Sequence, residues 1–133
     1  MRTTFAAALI GIGLAAAVTP IAAHHSFAAE FDSDKPIKLV GTVTKIEWTN
    51  PHAWFYIDVA DESGKIANWG WELGSPNGLL RAGWTRNSLK VGAIITVEGS
   101  RARDGSNTAN ARAVVLNSTG QKLFAASSQP SAQ

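Results

Sequence analysis

The sequence predicts an all-β domain with one short helix, and three observations carry that prediction. From residue 37 to 116 the chain is dense in β-branched and aromatic residues that alternate with polar ones. Inside the first such run the apolar phase slips beside a glycine, which marks a bulge in a bent strand. A single helix-start signal falls between the third and fourth runs. Strand, strand, strand, helix, strand, strand is the order of a small five-stranded Greek-key barrel of the OB-fold kind (β-β-β-α-β-β). A small sandwich or another five- to six-stranded barrel is the competing arrangement.

Each element follows from its residues. Ile37 to Trp48 reads as one long strand: Leu39, Gly41 and Val43 share a face, and the apolar phase then moves to Ile46 and Trp48. "HAWFYIDV" places Ala53, Phe55, Ile57 and Val59 on one side and His52, Trp54, Tyr56 and Asp58 on the other. Asp61 to Gly64 supplies the turn into "KIANWGWEL", where Trp69, Trp71 and Leu73 alternate with Asn68, Gly70 and Glu72. Ser75 before Pro76 is a helix start, with proline in the first turn where no amide partner is lost. Leu79, Leu80, Gly83 and Trp84 are expected on its buried face. "AIITVEGSRA", a turn at Asp104 to Asn107, and "NARAVVLN" complete the barrel.

The ends of the chain differ from its middle. A short positive start, an apolar run from Phe5 to Val18 and the small residues before His24 read as a secretory signal peptide over residues 1–23. The run falls short of the roughly 18 apolar residues of a membrane anchor. Residues 24–36 are expected to form an amino-terminal arm, 37–124 the barrel, and 125–133 a disordered tail. Without residues 1–23 the charge balance is 11 basic against 10 acidic residues, because Arg2 is lost. With basic residues scattered rather than clustered, a nucleic-acid footprint is not expected. The absence of cysteine excludes disulfides, thiolate metal sites, covalent c-type haem attachment and a lipoprotein cysteine at the cleavage point. The expected product is a periplasmic or secreted domain with no membrane anchor after cleavage.

"HHSFAAEFD", "GTVTKIEWTNPHAW", "NWGWELGSPNGLLRAGWTRNSLKVG" and "VEGSRARDGSNTANARAVVL" together resemble a family of exported bacterial proteins known as a domain of unknown function. The resemblance covers nearly all of residues 24–124. It implies a periplasmic OB-like barrel, with no activity and no catalytic residues attached.

Chemistry has few places to sit. The serine motif "ELGSPNG" lacks the spacing of a nucleophile elbow, and no glycine-rich stretch has a phosphate-binding pattern. No enzyme activity is expected. Trp69 and Trp71 share a face with Leu73 and are expected in the core, with Trp84 anchoring the helix. Trp48 and Trp54 flank "TNPH" and are the expected exposed pair. In "WTNPHAW" the Asn50-Pro51 turn presents His52, so Trp48, Asn50, His52, Trp54 and Tyr56 form the candidate face for a small molecule or protein partner. A histidine at such a turn also serves simply to hydrogen-bond across it.

His24 and His25 carry the second reading. Cleavage after Ala23 leaves a free amine on His24, and amine plus imidazole chelate Cu(II), with His52 completing the set if the arm folds back. Cleavage after Ala22 puts His25 third from the amine, which suits square-planar Cu(II) or Ni(II). The candidate metal ligands are therefore His24, His25 and His52, with Glu30, Asp32 and Asp34 as nearby oxygen donors. No cofactor is required for the binding reading; copper is the candidate for the other. A solvated acidic arm is the plainer alternative, and the oligomeric state is left open.

Overall fold

The computed structural model describes residues 27–127; the expected leader, His24 and His25, and the end of the tail lie outside them. The elements run α1 (Phe27–Glu30), β1 (Phe31–Glu47), β2 (Trp54–Ala60), β3 (Ile66–Glu72), α2 (Pro76–Arg81), β4 (Ile94–Ala102), β5 (Thr108–Leu116) and β6 (Lys122–Phe124). The sheet order is β3-β2-β1-β4-β5-β6, and a parallel pairing of β3 with β5 closes it. The closed ring with α2 between β3 and β4 is the OB-like Greek-key barrel that the alternation predicts. Among the described residues no helix is long and apolar enough to cross a membrane.

β1 is the longest strand because it serves both halves of the barrel. From Phe31 to Thr42 it pairs antiparallel with β4, and from Thr42 to Glu47 with β2. The handover needs a bend. Val43 pairs with Ile57 and Lys45 with Tyr56, so Thr44 is the extra residue of a bulge. That slip is the one seen in the apolar phase of the sequence. At Gly41 an added Cβ would lie 2.6 Å from the Asp58 carbonyl oxygen, so the crossing strands leave no room for a side chain there.

The barrel also starts earlier than expected. The arm foreseen over residues 24–36 is part of the sheet from Phe31 onward, and α1 packs on it. Phe27, Phe31 and Ala102 form a small buried cluster apart from the main core, with the two rings stacked at 5.7 Å. Two buried phenylalanines, worth about 1.5–3 kcal/mol each, hold this segment where its polar composition suggested a loose arm.

The main core contains Val43, Phe55, Ile57, Trp71, Leu73, Leu79, Trp84, Ile95, Val97 and Val114. Trp69 and Trp71 face it as expected, and Trp71 stacks on Phe55 with ring centroids 6.4 Å apart. α2 opens at Ser75, whose hydroxyl accepts from the Gly78 amide at 3.1 Å. It closes in a Schellman turn: Gly83 N–H donates to Leu80 O, Trp84 N–H to Leu79 O, and Gly83 has a φ of +92°. That reversal brings Trp84 beside Leu79 and leaves Leu80 53% exposed, correcting the expectation that Leu80 shares the buried face. Trp84 Nε1 then donates to Phe124 O at 2.8 Å, tying the helix to the unforeseen strand β6.

Candidate functional site

The outer face of β2 and β3 meets two loops at one end of the barrel. Trp54 opposes Glu72 on β3 and Glu47 on β1, and Tyr56 opposes Gly70 and Lys45. A Cβ added to Gly70 would come within 3.2 Å of the Tyr56 ring and 3.9 Å of the Trp54 indole. The two rings therefore lie side by side over β3, across a strand position that carries no side chain.

Trp54 is the floor shared by two hollows. One, of about 460 Å³, lies toward the β1–β2 connection and is lined by Glu30, Glu47, Thr49, Asn50, His52 and Glu72 with Trp54. The other, of about 570 Å³, lies toward the β4–β5 turn and is lined by Glu30, Phe31, Arg103, Asp104, Ser106 and Thr108 with Trp54. Glu30, at the end of α1, borders both. A half-buried indole thus sits between two loops of different chemistry, one carboxylate-rich and one mixed.

The loops are held by their own hydrogen bonds. The Asn50-Pro51 bond is cis. His52 follows it, and its Nδ1 lies 3.1 Å from Leu73 O. A carbonyl oxygen only accepts, so Nδ1 donates and the neutral ring keeps its lone pair on Nε2. Thr49 Oγ1 donates to His52 O, and Ala53 exchanges backbone bonds with Leu73 and Gly74. In the other loop Asp104 accepts from Ser106 N at 2.9 Å, and Ser106 holds the Asp104 carboxyl below its ordinary range. Arg103 donates through Nε to Ala28 O at 2.8 Å and from its amide to Glu30 O, fastening α1 to the end of β4.

Polar pairs border the aromatic face. Lys45 Nζ bonds Glu47 and stands 5.3 Å from the Tyr56 ring centroid. Tyr56 donates its hydroxyl to Glu47 at 3.2 Å. The Lys45 ammonium pulls the Glu47 carboxyl down, and Glu47 in turn raises Lys45. Burial, then the Glu47 charge, push the Tyr56 hydroxyl up. Beneath Trp54, Asn110 donates to Glu72 at 2.9 Å; both are buried, and they are register partners in the parallel β3–β5 seam.

Asn50, His52 and Trp54 come together as the motif suggested, with Tyr56 next along the same face. Trp48 does not join them. It packs with Ile46 against the main core, because the bulge at Thr44 turns both inward. Of the expected oxygen donors only Glu30 borders a hollow; Asp32 is engaged by Lys35 and Arg103, and its Oδ1 accepts from the Asp34 amide. His24 and His25 lie outside the described residues, within which no three His, Asp or Glu side chains are gathered for a metal ion. Sequence reasoning missed Glu47, Glu72, Arg103 and Thr108. Glu72 was legible as the one charge in a strand of tryptophans, whereas Arg103 and Thr108 reach the site only through the barrel seam.

A family model described as a family of unknown function (DUF6152) matches residues 11–111. No curated protein matches the chain. Among solved structures, the chain is similar to the dimeric N-terminal domain of PriB protein from Thermoanaerobacter tencongensis. That match has 20% identity and a TM-score of 0.41, and covers 62% of this chain and 96% of the other.

Proposed function

This chain belongs to the family of unknown function DUF6152, and we propose that it works as an exported binding module rather than a catalyst. Its ligand, a small molecule or an extended segment of a protein partner, lies over Trp54 between the β1–β2 connection and the β4–β5 turn. The observation that carries this reading is the pair of hollows sharing one indole floor. An indole offers a large apolar surface at little entropic cost, and Asn50 and His52 stand beside it to fix orientation. Loops flanking the β2–β3 face are where OB-type barrels take their ligands. Glu30, Glu47 and Glu72 around the indole disfavour a phosphate backbone, which is drawn to clustered basic charge. The periplasm is the proposed compartment, on the strength of the leader-like residues 1–23.

The test is a titration of the mature protein with a library of small polar and aromatic fragments. Trp54→Ala is expected to weaken the hits at least about tenfold, the scale of an aromatic anchor. Ile94→Ala, an exposed residue at the start of β4, is expected to leave them unchanged. Equal affinity in the Trp54 variant would overturn the proposal.

A further inference from the structure

We propose that the hollow beside the β1–β2 connection recognises an alkylguanidinium group, laid flat on the Trp54 indole with its N–H edges turned to the surrounding carboxylates. This rests on the reading of that hollow as the binding surface and names the chemical class of its ligand. Every polar side chain that lines the hollow around the indole presents an acceptor. Glu30, Glu47 and Glu72 bring carboxylates. His52 donates Nδ1 to the Leu73 carbonyl, which fixes the ring and leaves Nε2 as an acceptor. Thr49 gives its hydroxyl proton to the His52 carbonyl and keeps lone pairs, and Asn50 adds an amide oxygen beside its NH2 group. No lysine or arginine lines the hollow; Lys45, which bonds Glu47, stands outside its lining.

The spacing of these groups selects the kind of cation. The hollow measures about 460 Å³, the size of pockets that take small organic ligands, yet among the described residues no three His, Asp or Glu side chains are gathered for a metal ion. A guanidinium matches that wider spacing, because it spreads its charge over a plane and carries its N–H donors around the edge in a fixed fork. Such a plane stacks on an aromatic face and pairs bidentately with carboxylates. The chain uses the same stacking elsewhere, where the Arg101 guanidinium stands 5.3 Å from the Trp69 ring centroid. An anion is opposed by the carboxylates, and a quaternary ammonium brings no N–H for the acceptors. Asn110 holds Glu72 and the Leu73 carbonyl holds His52, so these acceptors are in place before a ligand arrives.

The experiment titrates the mature protein, by calorimetry and by NMR, with butylguanidinium and with butylurea, its uncharged planar counterpart. Butylguanidinium is expected to bind with one equivalent and at least about tenfold more tightly than butylurea, the margin of charge-assisted over neutral hydrogen bonds. Glu30→Gln is expected to cut that preference about threefold, the scale of a partly exposed ion pair. On wild-type protein, butylguanidinium is expected to shift the Trp54 indole, the His52 ring and the Asn50 side-chain amide, a readout independent of how the variant folds. Equal affinity for the two probes, a preference untouched by Glu30→Gln, or shifts that spare Trp54 and His52 overturns the inference. Acetyl-Gly-Arg-Gly amide separates the two sources of the group: binding tighter than that of butylguanidinium assigns it to an arginine of a protein partner, and equal or weaker binding assigns it to a free small molecule. Other fragments that still bind through Trp54 when butylguanidinium does not leave the module reading standing.

Discussion

At the scale of single residues, the site is a half-buried indole set among polar partners that are already committed to one another. Glu72 and Asn110 show what that commitment costs to break. Asn110→Ala removes a donor from a buried carboxylate, which costs about 1–3 kcal/mol, and it is expected to lower the urea midpoint while leaving the slope unchanged. An unaltered midpoint would mean that the pair is not structural. Tyr56 is the only tyrosine in the sequence, so its titration is directly visible in near-ultraviolet absorbance. Its pKa is raised above the ordinary phenol value of 10.0 by burial and then by Glu47. The neutral phenol is thus favoured by folding, and its contribution, complete below pH 10, fades as pH climbs through the raised value. Glu47→Gln is expected to move the Tyr56 midpoint down, and a midpoint that stays or rises would contradict the assigned cause. His52 and Trp54 were legible because a turn-forming Asn-Pro precedes them and strict alternation follows. Trp48 misled for a local reason: one extra residue at Thr44 reverses the facing of all that follows in β1, and the slip to Ile46 and Trp48 already recorded it.

At the scale of elements, the strands were readable and their ends were not. β2 follows two-residue alternation, with Phe55 and Ile57 buried between half-buried Trp54, Tyr56 and Asp58, whereas β3 is buried on both faces from Trp69 to Glu72, where Gly70 and Glu72 lie under the β2 side chains and the β5 seam. β1 extends to Phe31 through polar residues because β4 offers it a partner, which no local pattern reports. α2 was announced by Ser75-Pro76, but its C-terminal Schellman turn, rather than helical periodicity, decides that Trp84 and not Leu80 is buried. Ser75→Ala removes the N-cap acceptor for Gly78 and is expected to cost about 1 kcal/mol, seen as a lower melting midpoint. Ser75→Asp restores an acceptor and should recover most of it. Equal stability for wild type and Ser75→Ala would show that Leu79 and Trp84 packing alone sets the helix.

At the scale of the whole molecule, closing the barrel sets the two hollows side by side. The β3–β5 seam brings Thr108 and the Arg103 to Ser106 turn to the edge of one hollow, which shares Glu30 and Trp54 with the hollow beside the β1–β2 connection. That juxtaposition joins residues some fifty positions apart in sequence, so the motif "WTNPHAW" marks one border of the candidate hollows and nothing local marks the other. Three carboxylates, Glu30, Glu47 and Glu72, border the hollow beside the β1–β2 connection. The most direct test of the central claim is a chemical-shift map of the mature protein with its tightest-binding fragments. The account predicts shifts in Thr49 to Trp54, Glu30 and Arg103 to Thr108, with the Trp54 indole among the largest. Shifts gathered instead around Ser88 to Ile94 and Leu116 to Gln121, at the two adjoining hollows there, would contradict it.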